Sequence, residues 1–207
     1  MSATPEYWHN ATHDLAKRCK VMARLIKQHP VAKLRMRGNA FSTLARAIVG
    51  QQISVKAADA IWRRVLIAAG QIKSVRFAAM TVEELRTCGL SSSKVIYLKD
   101  LARFFNDKLV NPRRWPNMTD DEVIADLVAI KGIGRWTAEM FLIFYLARPN
   151  VFPADDIGLI RAIERHFHAG AILSKPEIAA YRCRYTPFNT AATWYFWRSL
   201  EPEPALY

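Results

Sequence analysis

The chain has 207 residues, 51% of them hydrophobic, and its 30 Lys and Arg against 18 Asp and Glu give a formal net charge of +12. A chain of this length and composition can bury a sizeable core, which excludes a disordered protein. It has no apolar run near the ~20 residues that cross a bilayer and no secretory signal at its start, so we expect a soluble intracellular protein with no membrane partner. Three scattered cysteines exclude a disulfide framework and a four-cysteine metal site within this chain.

The excess of positive charge, with a pI near 9.9, favours a polyanionic partner, most simply a nucleic acid. Charge alone is weak evidence, because many basic proteins bind nucleic acids without a biological role in doing so. The function therefore has to be argued from motifs.

Apolar residues recur at helical rather than strand spacing along almost the whole chain. Examples are Leu15, Met22, Leu25, Ile26, Leu98, Leu101, Phe104 and Phe105. This pattern predicts an all-α fold of roughly ten helices with short connections. The apolar run 140–147 is interpreted as a buried helix. Because no linker interrupts the pattern, residues 1–207 are treated as one domain, with room for two helical lobes.

Two pairs of residues mark helix starts. Thr81 with Glu84, and Thr119 with Glu122, have the spacing at which a threonine side chain caps a helix and the glutamate reaches back to the amide of the cap. We therefore expect one helix to begin after Thr81 and another after Thr119.

The most informative segment is the turn Gly132-Ile133-Gly134, which lies between two apolar helical stretches and predicts a helix-hairpin-helix at about 120–148. Glycines permit positive φ and remove Cβ atoms that would keep a ligand from the backbone. Ile133 can then insert into the core. The amides of this turn face outward at the positive end of the second helix, a position that suits a phosphate oxygen. The alternative is an ordinary helical hairpin with a glycine cap.

This turn, followed one helix later by Asp155 and Asp156, resembles the helix-hairpin-helix (HhH-GPD) DNA glycosylase superfamily. Residues 41–58, 88–94, 132–138 and 153–159, in this order, are similar to its alkylation-repair branch, the 3-methyladenine DNA glycosylase II type. The resemblance implies a two-lobed helical glycosylase fold. We expect the compact form of that fold, without the additional N-terminal domain of larger members.

The resemblance implies a base-excision repair enzyme that hydrolyses the N-glycosidic bond of alkylated purines, 3-methyladenine and also 7-methylguanine, in double-stranded DNA. Asp156 matches the catalytic aspartate of the family. Cleavage places positive charge on the sugar, which a fixed carboxylate stabilises, and a methylated purine already carries the charge that lets it leave. The competing interpretation is that Asp155 or Asp156 only caps the next helix, although capping and catalysis are compatible. Asp155 is expected to be a structural neighbour.

The resemblance also implies a monofunctional enzyme. Relatives that cut the DNA backbone place an imine-forming lysine two residues after the second glycine, where this chain has Trp136. The target base must turn out of the duplex into a pocket. Trp136 and Trp197 match aromatic pocket positions, and Met140 stands where larger relatives can present an aromatic residue. Other aromatic residues at helical spacing are more often part of a core, as we expect for Tyr145, Trp194 and Tyr195.

Gln52 is the candidate wedge that fills the gap left by the extruded base, with Gln51 beside it, because both follow Gly50 at a predicted helix end. A polar turn between helices explains either glutamine equally well. The candidate DNA-backbone contacts are Gly132, Gly134, Arg135, Thr137, Ser54, Lys56 and Lys94. For any single basic residue, a solvated surface position is the safer interpretation.

One segment departs from the family pattern, since Phe188-Asn189 stands where relatives often have Arg followed by Ser or Thr. This departure leaves open the C-terminal wall of the pocket, one DNA contact and hence the exact substrate range. His166 and His168 face different directions on a predicted helix and do not form a metal site. No cofactor is expected, and the one ion that the resemblance suggests is a structural Na⁺ or K⁺ on the backbone carbonyls of Val128, Ile130 and Ile133.

Two other functions stay open at this point. One is a glycosylase for uracil, hypoxanthine or another deaminated or mismatched base, and the other is a catalytically inactive helix-hairpin-helix module that only binds DNA. Apart from Asp155, which is expected to be a structural neighbour, no obvious second acid or amide stands beside Asp156 to help a neutral base leave, and the complete glycine turn with its aspartate argues against an inactive module. We expect a monomer that acts in the cytoplasm at a bacterial nucleoid or in a eukaryotic nucleus.

Overall fold

The computed structural model describes residues 4–30, 34 and 38–200, and all regular structure in this part of the chain is helical. Because no strand occurs among these residues, the predicted all-α class is confirmed. One 3₁₀ turn occupies Trp115–Asn117. The α-helices are α1 (Trp8–Arg18), α2 (Lys20–Gln28), α3 (Ala40–Gly50), α4 (Val55–Ala69), α5 (Ser74–Ala79), α6 (Val82–Thr87), α7 (Ser92–Asn106), α8 (Asp120–Val128), α9 (Arg135–Phe144), α10 (Ile157–Phe167), α11 (Lys175–Tyr185) and α12 (Asn189–Leu200).

The described residues form two compact units. The first unit contains residues 4–30, 34 and 142–200, and the second contains residues 38–141. Helices α1, α2 and α10 to α12 therefore belong to the first unit, and α3 to α8 with most of α9 belong to the second. Since the first unit is built from two separate stretches of the chain, no single linker in the sequence could mark the boundary.

Helix α12 is the centre of the first unit and packs against α1, α2, α10 and α11. Residues 189–196 of this helix are all buried. Thr190 Oγ1 donates to the carbonyl of Arg148 at 2.6 Å and accepts from the amide of Val151 at 3.0 Å, so this buried hydroxyl is satisfied. Trp8 of α1 meets Trp194 edge to face with ring centroids 5.5 Å apart. The last turn of α12 therefore follows a stretch of the helix that is held firmly by its packing.

A series of edge-to-face aromatic rings runs through the second unit. The rings belong, in spatial order, to Phe77, Phe41, Phe105, Trp115 and Phe141, and successive centroids are 5.2–6.2 Å apart. Edge-to-face pairs contribute about 0.5–1.5 kcal/mol each beyond the area that they bury. Because the rings come from α5, α3, α7, the 3₁₀ turn and α9, this series holds α9 against the rest of the second unit.

The predicted helix starts are confirmed. Thr81 with Glu84, and Thr119 with Glu122, both form reciprocal capping boxes. A third box at the start of α11 pairs Ser174 with Glu177. We did not predict that box, although it has the same Ser-x-x-Glu spacing. Caps of this kind contribute about 0.5–2 kcal/mol each.

The helix predicted for residues 140–147 ends earlier than expected, at Phe144. Residues 140–143 are buried, as predicted, but Ala147 has a φ of +52°. A right-handed helix cannot continue through a residue in the left-handed region, so the second half of this prediction is wrong. No helix in the described part of the chain is long and apolar enough to span a bilayer.

Candidate functional site

Asp156 directly precedes α10, and its side chain caps that helix. Asp156 Oδ1 accepts a hydrogen bond from the amide of Leu159 at 2.7 Å, and the residue is only 5% exposed. The capping role that we considered for Asp156 is therefore confirmed. An N-cap position also places the carboxylate at the positive end of the helix dipole, which stabilises negative charge there.

A second donor reaches the same carboxylate oxygen from α12. Trp197 Nε1 donates to Asp156 Oδ1 at 2.7 Å. A Cβ atom at Gly158 would lie 3.0 Å from Trp197 Cδ1 and 3.2 Å from Asp156 Oδ1, so glycine leaves the room that this contact needs. The structure thus brings together two of the predicted site residues and holds the carboxylate in one orientation.

The indole of Trp197 is also fixed on its face. Phe144, at the end of α9, stacks on it with ring centroids 6.1 Å apart and an interplanar angle of 15°. We did not predict Phe144 as a site residue, and its only sequence signal is its helical spacing from Met140. Asp155, in contrast, is exposed and forms an ion pair with Lys175 at 2.9 Å. This geometry agrees with the structural role expected for Asp155.

The hairpin turn, residues 129–134, requires its first glycine. Gly132 has a φ of +83°, and a Cβ atom there would lie 2.2 Å from the ring of Tyr97. Gln51 Nε2 donates to the Gly132 carbonyl at 2.8 Å. Ile133 is 4% exposed, so its predicted burial is confirmed. Gly134 lacks a positive φ, and a Cβ atom there would meet no protein atom within 4 Å, so the fold itself does not require glycine at this position.

Asp100 of α7 secures the residue before Gly132. Its Oδ2 accepts from the amide of Lys131 at 2.9 Å, and its Oδ1 accepts from Arg103 Nη2 at 2.9 Å. Burial alone would raise the pKa of Asp100, but these hydrogen bonds and the charges of Arg103 and Lys131 outweigh it, so the pKa lies below its ordinary value of 3.8. We did not predict this contact.

The candidate wedge lies in the loop of residues 51–54, called here the wedge loop. Gln52 is exposed and has a φ of +58°. Ser54 caps α4, because its Oγ accepts from the amide of Ala57 at 3.3 Å. Lys56 is exposed in the first turn of α4. The DNA contacts of these three residues stay predictions.

The other candidate phosphate contacts have partners inside the protein. Lys94 Nζ donates to the carbonyl of Val49 at 2.8 Å, and burial lowers the pKa of this lysine. Arg135 Nε lies 3.2 Å from Glu139 Oε1, although 55% of the Arg135 side chain is exposed. The Thr137 side chain is buried, so a contact there would use its backbone amide in the first turn of α9.

The remaining pocket candidates, Trp136 and Met140, belong to the second unit. Trp136 is half-buried, and Met140 is buried. Their role as pocket walls stays a prediction.

Phe188 and Asn189, which depart from the family pattern, both pack inside the first unit. Asn189 is fully buried and donates from Nδ2 to Asn150 Oδ1 at 2.6 Å and to the carbonyl of Arg182 at 3.0 Å. Phe188 stacks on Tyr7 with centroids 6.4 Å apart. These contacts give the two residues a structural role. Among the described residues, no group of three or more His, Cys, Asp or Glu side chains is arranged to hold a metal ion.

Comparison with known proteins places these features in a family. Residues 45–186 match the HhH-GPD superfamily of base excision DNA repair proteins. DNA-3-methyladenine glycosylase 1 of Schizosaccharomyces pombe is 37% identical over 164 residues, which are 77% of this chain and 72% of that protein. The DNA-3-methyladenine glycosylase of Saccharomyces cerevisiae is 36% identical over 148 residues, which are 67% of this chain and 48% of that protein, so the match spans about half of its length.

The fold is similar to a solved structure as well. The 3-methyladenine DNA glycosylase (Mag1) of S. pombe, in complex with abasic DNA, aligns with a TM-score of 0.79 and 32% identity over 92% of this chain and 96% of that one. The family match and the 37% identical relative together establish the family. The chain belongs to the HhH-GPD superfamily of base excision DNA repair proteins.

Proposed function

We propose that this protein is a monofunctional DNA glycosylase that hydrolyses the N-glycosidic bond of alkylated purines, 3-methyladenine and 7-methylguanine, in double-stranded DNA. The observation that carries the proposal is the buried Asp156 carboxylate, which Trp197 and the first turn of α10 fix in one orientation. The similarity to relatives named for 3-methyladenine supports the same substrate class.

Asp156 would act on charge that develops during the reaction. As the bond between C1′ and the base nitrogen breaks, its electron pair neutralises the cationic base, and positive charge develops on the sugar. A carboxylate that is already oriented stabilises this charge without reorganising at the moment of reaction. Water then adds to C1′ and gives its proton to the carboxylate or to solvent. The products are the free base and an abasic site.

The second unit would supply the grip on DNA. The amides at the start of α9 suit a backbone phosphate, and an exposed Gln52 suits the gap left in the base stack. Turning out the target nucleotide costs a few kcal/mol, which aromatic pocket walls partly recover. Aromatic faces also favour a cationic base over its neutral parent by roughly 0.5–2 kcal/mol.

Trp136 limits the reaction to hydrolysis. An indole nitrogen is a hydrogen-bond donor only and cannot form the imine that a lysine at this position would form. Incubation of the protein with abasic DNA and borohydride should therefore trap no covalent complex. A trapped complex would refute the monofunctional assignment.

The decisive test replaces Asp156 with asparagine. Asparagine caps a helix about as well as aspartate, so the variant should fold while losing the negative charge. We expect release of 3-methyladenine from methylated DNA to fall at least about a hundredfold, as for loss of a preorganised electrostatic group. Chromatography of the freed bases measures this release. Asp155→Asn, which removes an equal charge from the exposed neighbour, should retain release within about threefold.

Three outcomes would reject the proposal. Release by Asp156→Asn at the native rate would remove the assigned role of Asp156. Excision of uracil or hypoxanthine from lesion duplexes in preference to alkylated purines would point to the deaminated-base glycosylase. Binding that falls steeply with salt, with no base ever released by the unchanged protein, would indicate an inactive DNA-binding module.

We also propose that the protein acts as a monomer and that the hairpin turn can hold Na⁺ or K⁺. The carbonyls of Val128, Ile130 and Ile133 are oxygen ligands of the type that these ions need. Ile130 O accepts one hydrogen bond, from the amide of Ile133 at 3.1 Å, which leaves its second lone pair for an ion. Thermal unfolding in KCl compared with tetramethylammonium chloride at equal ionic strength tests this site, since K⁺ is the only one of these two cations that fits it.

A further inference from the structure

Three residues of α7 hold the two segments to which we assign DNA contacts. Lys94, Tyr97 and Asp100 are spaced three apart and therefore lie along one side of the helix. Lys94 Nζ donates to the carbonyl of Val49 in the last turn of α3, immediately before the wedge loop. The Tyr97 ring lies against Gly132, and Asp100 Oδ2 accepts from the amide of Lys131. We call these three residues the α7 bracket.

The position of Lys94 is unfavourable for a positive charge unless the side chain serves the contact with the Val49 carbonyl. Lys94 lies in the first turn of α7, at the positive end of the helix, where a cation is disfavoured. Its burial disfavours the charged form further and lowers its pKa. The last turn of α3, however, contains no basic residue of its own and ends in carbonyls that have no partner within the helix. Lys94 supplies the missing donor and charge from a different helix.

Gln51 ties the wedge loop to the hairpin turn directly. Its Nε2 donates to the Gly132 carbonyl at 2.8 Å, although the two residues are 81 positions apart in the chain. Gln51 is half-buried, whereas Gln52 is exposed with a left-handed backbone. Of the two glutamines, therefore, Gln52 is the one that remains available to reach a ligand.

We propose that the α7 bracket and Gln51 fix the spacing between the wedge loop and the hairpin turn, and that Lys94 and Gln51 are positioning residues for extrusion of the target nucleotide. This proposal rests on the proposed function. A phosphate held by the hairpin turn and the gap entered by Gln52 are separated by a distance that the duplex fixes. The two loops must match that distance, because a misplacement of about 1 Å can reduce a rate by about a hundredfold.

Lys94→Met tests the proposal, and Lys99→Met is its matched control. Lys99 also lies on α7, and its Nζ donates to the carbonyls of Ala78 and Met80 at the end of α5. Each variant thus removes one charge and one donor that a lysine of α7 gives to the end of another helix. Only Lys94 holds a segment assigned to DNA.

Extrusion is measured with 2-aminopurine placed opposite a stable abasic analogue. The fluorescence of 2-aminopurine rises when a wedge unstacks it. We expect Lys94→Met to reduce this rise and single-turnover base release by about tenfold or more relative to Lys99→Met. Affinity for a lesion-free duplex should stay within about twofold, because under this proposal Lys94 Nζ serves the Val49 carbonyl in place of the phosphate contact considered from the sequence, and the hairpin turn keeps its own contacts. Lys94→Arg, which keeps a donor, should restore part of the rise. The double variant Gln51→Met with Lys94→Met should lose less than the product of the two single losses, since both act on one spacing.

The possible failures are distinguishable. Equal losses in Lys94→Met and Lys99→Met overturn the proposal. Binding to lesion-free DNA is also measured over a range of salt concentrations. If Lys94→Met reduces the slope of the logarithm of the binding constant against the logarithm of the salt concentration by about one, the proposal is overturned, because Lys94 would then contact a phosphate directly. If the unchanged protein raises the fluorescence but releases no base, the glycosylase function fails while the bracket stands. If it releases base but raises no fluorescence, the positioning proposal fails while the glycosylase function stands, and if it does neither, both proposals fail.

Discussion

Trp197 Nε1 lies 2.7 Å from Asp156 Oδ1, and this hydrogen bond joins the last turn of α12 to the residue that caps α10. The two helices pack directly against each other. The orientation of the carboxylate therefore depends on how α12 is seated in the first unit, as well as on the local turn before α10.

Replacing Trp197 with phenylalanine should misplace the carboxylate without removing it. The variant keeps an aromatic ring to stack on Phe144 but loses the donor to Asp156. A hydrogen bond to a charged group contributes about 1.5–3 kcal/mol, so we expect base release under single-turnover conditions to fall by roughly ten- to a hundredfold.

Trp194→Phe is the control for this change, because it makes the same substitution one turn earlier in α12. Trp194 is buried against Trp8 and Tyr195. It should lower the free energy of unfolding by about 1–3 kcal/mol and leave base release within about threefold. Equal losses of release in both variants would contradict a specific role for the indole nitrogen of Trp197.

The two glycines of the hairpin turn should respond differently to alanine. Gly132→Ala must adopt a φ of +83° and displace the Tyr97 ring, so we expect the free energy of unfolding to fall by about 2–4 kcal/mol. Gly134→Ala meets no protein atom and should change that free energy by less than about 0.5 kcal/mol. Urea denaturation measures both changes.

For the folded proteins, we expect Gly134→Ala to weaken DNA binding more than Gly132→Ala does. Under our proposal, Gly134 is where a phosphate approaches the backbone, so Gly134→Ala should weaken binding to a lesion-free duplex about tenfold, or by roughly 1.4 kcal/mol, in fluorescence anisotropy. A Gly134→Ala protein that binds DNA as tightly as the unchanged chain would show that this glycine does not face DNA.

Asp100 should make stability depend on pH. Its pKa is lower in the folded protein than its ordinary value of 3.8, so the ionised form stabilises the fold. This contribution is complete well above pH 3.8 and is lost as the pH falls through the lower folded-state pKa. Asp100→Asn should therefore be less stable than the unchanged protein near neutral pH, and the difference should shrink below about pH 4.

The measurement is urea denaturation at a series of pH values, with Asp107→Asn as the control. Asp107 is an exposed aspartate that follows the end of α7. If the difference between the unchanged protein and Asp100→Asn stayed constant or grew on acidification, the hydrogen bond to the Lys131 amide would not be what lowers the pKa.

The features that could be predicted from the sequence are local ones. The capping boxes at Thr81 and Thr119 depend on residues three positions apart, and the burial of Ile133 follows from an apolar residue between two glycines. The position of Asp155 and Asp156 before an apolar helix indicates that one of them can cap it. The assignment of Asp156 to a site needed the resemblance, because an aspartate before a helix is common in every kind of protein.

The contacts that could not be predicted join distant parts of the chain. Lys94 looks like any basic residue near a helix start, and only the fold brings its ammonium to the carbonyl of Val49, 45 positions away. The contact of Gln51 with Gly132 has no periodic signal either. Helical periodicity reports which face of a helix is buried and does not report what covers it.

The cap formed by Asp156 needs an oxygen acceptor but no negative charge. One base change converts an aspartate codon into an asparagine codon. Under the proposed function, a natural population can therefore lose the chemistry of this protein while keeping its architecture, and such an allele would encode a protein that still occupies damaged sites and shields them from other repair enzymes. Its carriers would then tolerate alkylating agents less well than carriers of a complete deletion.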